Sequence, residues 1–304
     1  MQHETVKYWS GGVECAADVH IPDHDGPLPA LVIGHGFNQT REALKEEARY
    51  FSEAGFAVMA IDYRGYGDSE GEPRNHINPR RQSEDVRNAI TYFSRRPEVD
   101  EERIGIWGVS FGGGLVIHVA AFDRRVKAVV SQSPIVNGRR WIREVRSRFN
   151  YQALRQLVED DFAERHRPNP VPEKRLVDGG PGPDLTAVYM DELPDPDTVN
   201  PENVVANPMA QSKFDPMITI ASVERVMDFN PEDCIDMIAP RPLLVIANDA
   251  RDSVHQIEHI QDAFKKAGEP KRMVVLPRDM NDLYEEPGRG EAMGLCIEFF
   301  REHL

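Results

Sequence analysis

The sequence predicts an α/β protein: a mostly parallel central sheet with helices on both faces, interrupted by a helical and loop-rich insertion. Two observations carry this expectation. Short β-branched runs alternate with helical segments up to about residue 135, which specifies parallel strands covered on both sides. That rhythm stops, then resumes at "RPLLVIAND" and continues to the last residue, so the two flanking pieces complete one sheet.

Taken in order, "TVKYWS" and "ECAADVHIP" are alternating strands joined at Gly11-Gly12, which reads as a hairpin. "ALVIGHG" is a buried strand, and "REALKEEARYFSEAG" is an amphipathic helix ending at Gly55. "FAVMAIDYRG" is the next strand. "SEDVRNAITYFSRRP" is the next helix, with Ser83 as its expected N-cap. "RIGIWGVS", "FGGGLVIHVAAFD" and "VKAVVSQSP" read as strand, helix and strand. In the insertion, Trp141, Val145, Phe149, Leu154, Leu157 and Phe162 recur at helical spacing. Prolines from "RPNPVPEK" to "LPDPDTVNPEN" then exclude long regular elements. "RPLLVIAND", "HQIEHIQDAFKKAG", "KRMVVLP" and "GRGEAMGLCIEFFREHL" restore the strand–helix alternation. The expected division is a core of residues 1–135 and 236–304, with 136–235 as a lid.

Charge narrows the partners. With 36 basic and 51 acidic residues, the net charge of −15 repels phosphate backbones and anionic lipids, so nucleic acid and membrane are not expected. No apolar run approaches the roughly 18–20 residues of a membrane span, and the N-terminus lacks the pattern of a secretory signal. Cys15, Cys234 and Cys296 are odd in number and widely spaced, which argues against disulfides and a zinc site and for a reducing cytoplasm. No metal or cofactor is expected. "FGGG" lacks the glycine order of a dinucleotide cradle. The expected partner is a small-molecule substrate, and a homodimer stays open.

The chemistry centres on Gly108-Val109-Ser110-Phe111-Gly112. A serine between two glycines at a strand–helix junction sits on a sharp turn, displayed above the sheet edge as a nucleophile. The helix N-terminus and the Phe111 N–H favour a developing negative charge there. After His35-Gly36, the Phe37 N–H is the expected second oxyanion donor, while the His35 side chain reads as a cap on its own turn.

"GHGF", "AIDYRGYGDSEGEPRNH", "RPEVDEERIGIWGVSFGGG", "DRRVKAVVSQSP" and "APRPLLVIANDARDSV" together resemble the α/β-hydrolase superfamily. Within it they resemble the dienelactone-hydrolase-like branch that includes X-Pro-peptidase-like and polyketide-transferase-like proteins. The resemblance implies an α/β-hydrolase fold and a triad in the order Ser, Asp, His. Asp252 stands at the family acid, with Asp249 as a second candidate. The family's histidine is expected in "PRDMNDLY", where Asp282 and Tyr284 hold the register and Met280 takes the histidine's place.

A thioether is no base, so three main readings stay open. A substitute base serves a hydrolase or acyltransferase, from His255, His118, Asp279 or Asp282. The chain has become a binding protein without catalysis. Or, as the leading expectation, the oxyanion donors serve a cyclase, lyase or isomerase acting on a carbonyl-bearing metabolite. A hydrolase whose histidine has simply been replaced stands beside them. Two smaller expectations complete the reading. Arg64 pairs with Asp68 in a structural turn, and Arg139, Arg140, Trp141 and Arg143 at the lid's start face a polar or anionic carbonyl substrate, unless the arginines lie on a solvated face.

Overall fold

The structure, a computed structural model, describes residues 2–145, 148–168, 175–177, 215, 217–249, 252, 254–278 and 281–304. Its strands in chain order are β1 (Gln2–Ser10), β2 (Val13–Ile21), β3 (Leu28–Gly34), β4 (Ala57–Ile61), β5 (Val99–Val109), β6 (Val126–Gln132), β7 (Arg175–Val177), β8 (Met217–Thr219), β9 (Leu243–Asn248) and β10 (Lys271–Leu276). Helices are α1 (Lys45–Glu53), α2 (Pro79–Phe93), α3 (Phe111–Phe122), α4 (Gly138–Glu144), α5 (Arg148–Arg165), α6 (Ile220–Met227), α7 (Ile257–Lys266) and α8 (Gly288–His303).

All eight expected strands enter one sheet, in the order β1-β2-β4-β3-β5-β6-β9-β10. β1 and β2 run antiparallel, β2 meets β4 antiparallel, and every pairing from β4 to β10 is parallel. The hairpin turns on Gly11 and Gly12, at φ of 55° and 90°, a region that glycine enters without a Cβ clash. Short antiparallel β7 and β8 pair outside this sheet.

Strand alternation builds two cores. Ala30 and Val32 face one side with Val86, Ile90 and Phe93 of α2 and Leu115 of α3. Leu31 and Ile33 face the other with Phe51 of α1 and Phe300 of α8. Both faces are apolar because a parallel sheet is covered twice. On the second face Phe51 meets Phe56, Trp107 and Phe300 edge-on, with centroids 5.8–6.5 Å apart.

Three expectations change. α2 begins at Pro79, one turn before Ser83, because Asn78 accepts the Arg81 N–H at 3.3 Å and proline needs no acceptor at a first helical position. The long helical pattern after residue 138 forms two helices, α4 and α5, in which Trp141 and Leu154 are buried and Phe162 is exposed. Arg64 does not pair with Asp68. It binds Asp85 at 2.8 Å and Glu84 at 2.7 Å, while Asp68 receives Arg41 at 2.8 Å. Arg41 is itself buried and also bonds Asp62 and Asp18. These ion pairs fix the chain that leaves β4.

The segment between β6 and β9 is tied to the core by polar contacts. Asn38 and Asn75 each donate to the Asp215 carbonyl at 3.0 Å, and the Ile77 N–H donates to Ser222 at 2.9 Å. Among the described residues no helix is long and apolar enough to cross a membrane.

Phe300 has no exposed surface and touches three other rings through the second core. Phe300→Ala is expected to lower unfolding stability by about 3–5 kcal/mol, read by urea denaturation. A loss under about 1 kcal/mol would mean that this cluster does not anchor α8.

Candidate active site

The turn from β5 into α3 places Ser110 at φ 58° and ψ −121°, a strained conformation for a residue with a side chain. Its neighbours hold it there. The Ser110 N–H donates to the Gln132 carbonyl at the end of β6 at 2.9 Å, and the Ser110 carbonyl accepts from Ile135 at 3.1 Å. The flanking glycines are steric requirements. A Cβ on Gly112 would stand 2.4 Å from the His35 carbonyl oxygen, and one on Gly108 would stand 2.3 Å from that of Gly112. The serine hydroxyl emerges half-buried at the carboxyl edge of the sheet.

Four residues past the end of β9 stands Asp252, where the resemblance puts the acid. One carboxylate oxygen, Oδ1, accepts the N–H of Val254 at 2.9 Å and that of His255 at 2.8 Å. The other, Oδ2, lies 2.8 Å from His255 Nδ1, and His255 Nε2 lies 2.8 Å from Ser110 Oγ. A carboxylate only accepts, so Nδ1 carries the proton and Nε2 offers its lone pair to the serine hydroxyl. Both side chains are almost fully enclosed, His255 at 1% exposure and Asp252 at 3%.

With Met280 at the family's histidine position, His255 stands among the substitute candidates, and the structure sets its ring against Asp252 and Ser110. His255 precedes α7 and is folded inward between Asp252 and Ser110. Met280 and Asp279 lie outside the described residues. Asp282 sits in a short 3-10 turn, Asn281–Tyr284, and Asp249 is exposed at the end of β9. His118 stacks on Phe122 and Phe229 along α3, with burial pushing its pKa down to about 4.

Around Ser110 the geometry suits an acyl carbonyl. A Cβ on Gly36 would stand 3.3 Å from Ser110 Cβ, so the end of β3 abuts Ser110. Neither the Phe37 nor the Phe111 N–H has an acceptor among the described residues. The Phe37 ring stands edge-on to Phe111 at 5.5 Å and to Trp141 at 5.4 Å, forming an aromatic wall. His35 bonds its own turn, Nδ1 to the Gly36 carbonyl at 3.0 Å, and burial lowers its pKa to about 4.

Trp141 is thus beside the site, buried. Arg140 is engaged elsewhere: it reaches Asp262 at 2.9 Å and Glu144 at 3.3 Å, bridging α4 to α7. Arg139 and Arg143 are exposed. Two residues passed over in the sequence join the network. Asn248 donates to Asp252 Oδ2 at 2.5 Å, and Ser133 donates to Asn248 Oδ1 at 2.5 Å. No local pattern marks them; the pairing of β6 with β9 brings them together.

Burial alone would raise the Asp252 pKa. The His255 hydrogen bond and charge, with the N–H groups of His255 and Val254, outweigh it and hold the carboxyl well below the usual range. A folded-state pKa below the unfolded value of about 3.9 gives stability that is present above that pH and lost as the pH falls. Asp252→Asn is therefore expected to lose less stability than the natural chain between neutrality and about pH 3 in urea titrations. Equal losses would show that the carboxylate is not held.

Comparisons with known proteins agree with this fold. The chain is 28% identical over 271 residues to the thiohydrolase aneE of Aspergillus aculeatus, covering 86% of this chain and 80% of that one. It is 28% identical over 283 residues to the acyltransferase drtE of Aspergillus calidoustus, covering 90% and 86%. The crystal structure of the alpha/beta hydrolase GrgF from Penicillium sp. sh18 superposes with a TM-score of 0.81 at 24% identity, covering 100% of this chain and 99% of that one, a likeness of fold. The profile of the X-Pro dipeptidyl-peptidase (S15) family matches residues 11–178, more than half of the 304. With an eight-stranded sheet, a serine on a strained strand–helix turn and that match, the chain belongs to the X-Pro dipeptidyl-peptidase (S15) family of the α/β-hydrolase superfamily.

Proposed function

We propose that the protein is a serine acyl-transfer enzyme that cleaves an ester or thioester of a small metabolite and passes the acyl group to water or an alcohol. The observation that carries this reading is the continuous contact from Ser110 Oγ through His255 to Asp252, with both links at 2.8 Å. That distance lies within the reach required for proton transfer.

In the first half-reaction Ser110 Oγ attacks the carbonyl carbon while its proton passes to His255 Nε2. Asp252 stabilises the imidazolium and holds the ring in place. The Phe37 and Phe111 N–H groups receive the negative oxygen. The carbon–oxygen or carbon–sulfur bond then breaks, and the leaving group takes the proton back from His255. In the second half a water or alcohol loses its proton to His255 as it attacks the acyl-serine, and Ser110 Oγ recovers that proton.

The cyclase, lyase or isomerase expectation rested on a missing base, and the contact of His255 Nε2 with Ser110 Oγ at 2.8 Å favours the alternative of a substitute base. The thiohydrolase and acyltransferase relatives support the same choice of ester or thioester. Residues 136–235 serve in this reading as the lid that selects the acyl group, with Trp141, Phe37 and Phe111 as its apolar floor.

The protein is expected to react with a fluorophosphonate probe and to hydrolyse p-nitrophenyl acetate, and Ser110→Ala should abolish both. His255→Ala should lower kcat/KM on the order of 10²–10⁴-fold. Met280→His should bring no gain, since Asp252 already holds an imidazole. A natural chain that neither labels nor turns over an activated ester would sink the proposal, and a large gain from Met280→His would return the base to that position.

A further inference from the structure

We infer that Asn248 and Ser133 form a positioning relay for the acid, an inference that rests on the acyl-transfer reading above. Asp252 Oδ2 accepts His255 Nδ1–H at 2.8 Å and Asn248 Nδ2–H at 2.5 Å. With the two amide N–H groups on Oδ1, the carboxylate receives four donors and its lone-pair sites are filled. The carboxylate plane, and with it the oxygen presented to the imidazole, is fixed by these four contacts.

Asn248 can present its amino group to Asp252 in only one of its two amide orientations, because the flipped amide would set oxygen against a carboxylate. Asp252 selects that orientation, and Ser133 completes it by donating its hydroxyl to the Asn248 Oδ1 left facing away, at 2.5 Å. Ser133 is held firmly enough to do so. It sits at φ 44°, and its N–H donates to the Ile246 carbonyl on β9 at 2.7 Å. Both side chains are buried, at 2% and 1% exposure, where unpaired polar groups are costly. The chain of contacts thus runs Ser133, Asn248, Asp252, His255, Ser110. Asn248 and Ser133 touch no reacting atom and act through the acid.

A double-mutant cycle separates this role from plain structural support. Asn248→Leu, close in size but without a donor, should lower kcat for p-nitrophenyl acetate about tenfold or more, with KM little changed. In an Asp252→Ala background, where no carboxylate remains to be oriented, the same substitution should cost less than about twofold. Ser133→Ala should show a smaller loss with the same dependence, and it carries the test where Asn248→Leu does not fold. Equal losses in both backgrounds, or a loss carried by KM, would overturn the relay while fluorophosphonate labelling of the natural chain upholds the acyl-transfer reading. Absence of that labelling would overturn both together.

Discussion

The imidazole of His255 ties together two loops that leave different strands, and the rest of the site depends on the separation of those strands. Ser110 follows β5, and Asp252 lies beyond the end of β9, with only β6 between them. Two strand spacings of about 4.8 Å set the gap that one imidazole and one carboxylate must span. β6 fixes that gap from both sides. Its Gln132 carbonyl receives the Ser110 N–H, and the next residue, Ser133, bonds the backbone of β9 and the side chain of Asn248. A shift of β6 by one residue would therefore disturb nucleophile and acid together. The Ser110–His255–Asp252 geometry is inherited from sheet register, at the carboxyl edge where parallel sheets place their ligands.

What the sequence discloses follows how local each feature is. The eight strands are legible because the pattern of alternate residues repeats the two-sided covering of the sheet, as Ala30 and Val32 against Leu31 and Ile33 show. The serine turn is legible because its steric demands lie within five consecutive residues. Asp252 is legible only through resemblance. Asn78 is missed as a helix cap because Ser83 offers the same chemistry one turn later, and only the proline at position 79 decides between them. Arg64 has acidic neighbours both in its own turn and on α2, and sequence distance does not rank them. His255 carries no periodic signal at all. Its role depends on the loop folding the ring inward, a three-dimensional fact that "DSVH" does not announce.

Around this centre the molecule separates charge from the reacting groups. Arg140, Glu144, His259 and Asp262 satisfy one another between α4 and α7, with His259 2.7 Å from Glu144. Arg41 is enclosed by Asp18, Asp62 and Asp68. Beside the Ser110 turn, Phe37, Phe111 and Trp141 form an aromatic cluster. In the acyl-transfer reading an apolar wall strengthens the pull of two amide dipoles on a developing oxyanion. In that reading it suits an acyl chain better than an anionic substrate, as does the net charge of −15.

Acid and base share one short loop, and this changes how each is held. Asp252 clamps His255 at both ends, through the backbone N–H on Oδ1 and through Nδ1 on Oδ2. A ring secured by a residue three positions away needs little loop-closure entropy to find its partner. The same arrangement concentrates risk. Loss of the carboxylate would remove, in the acyl-transfer reading, the charge that stabilises the imidazolium, and also the acceptor of the His255 backbone N–H. In the acyl-transfer reading Asp252 and His255 therefore work as one chelated unit, held from β9 by the Asn248 hydrogen bond to Asp252 Oδ2.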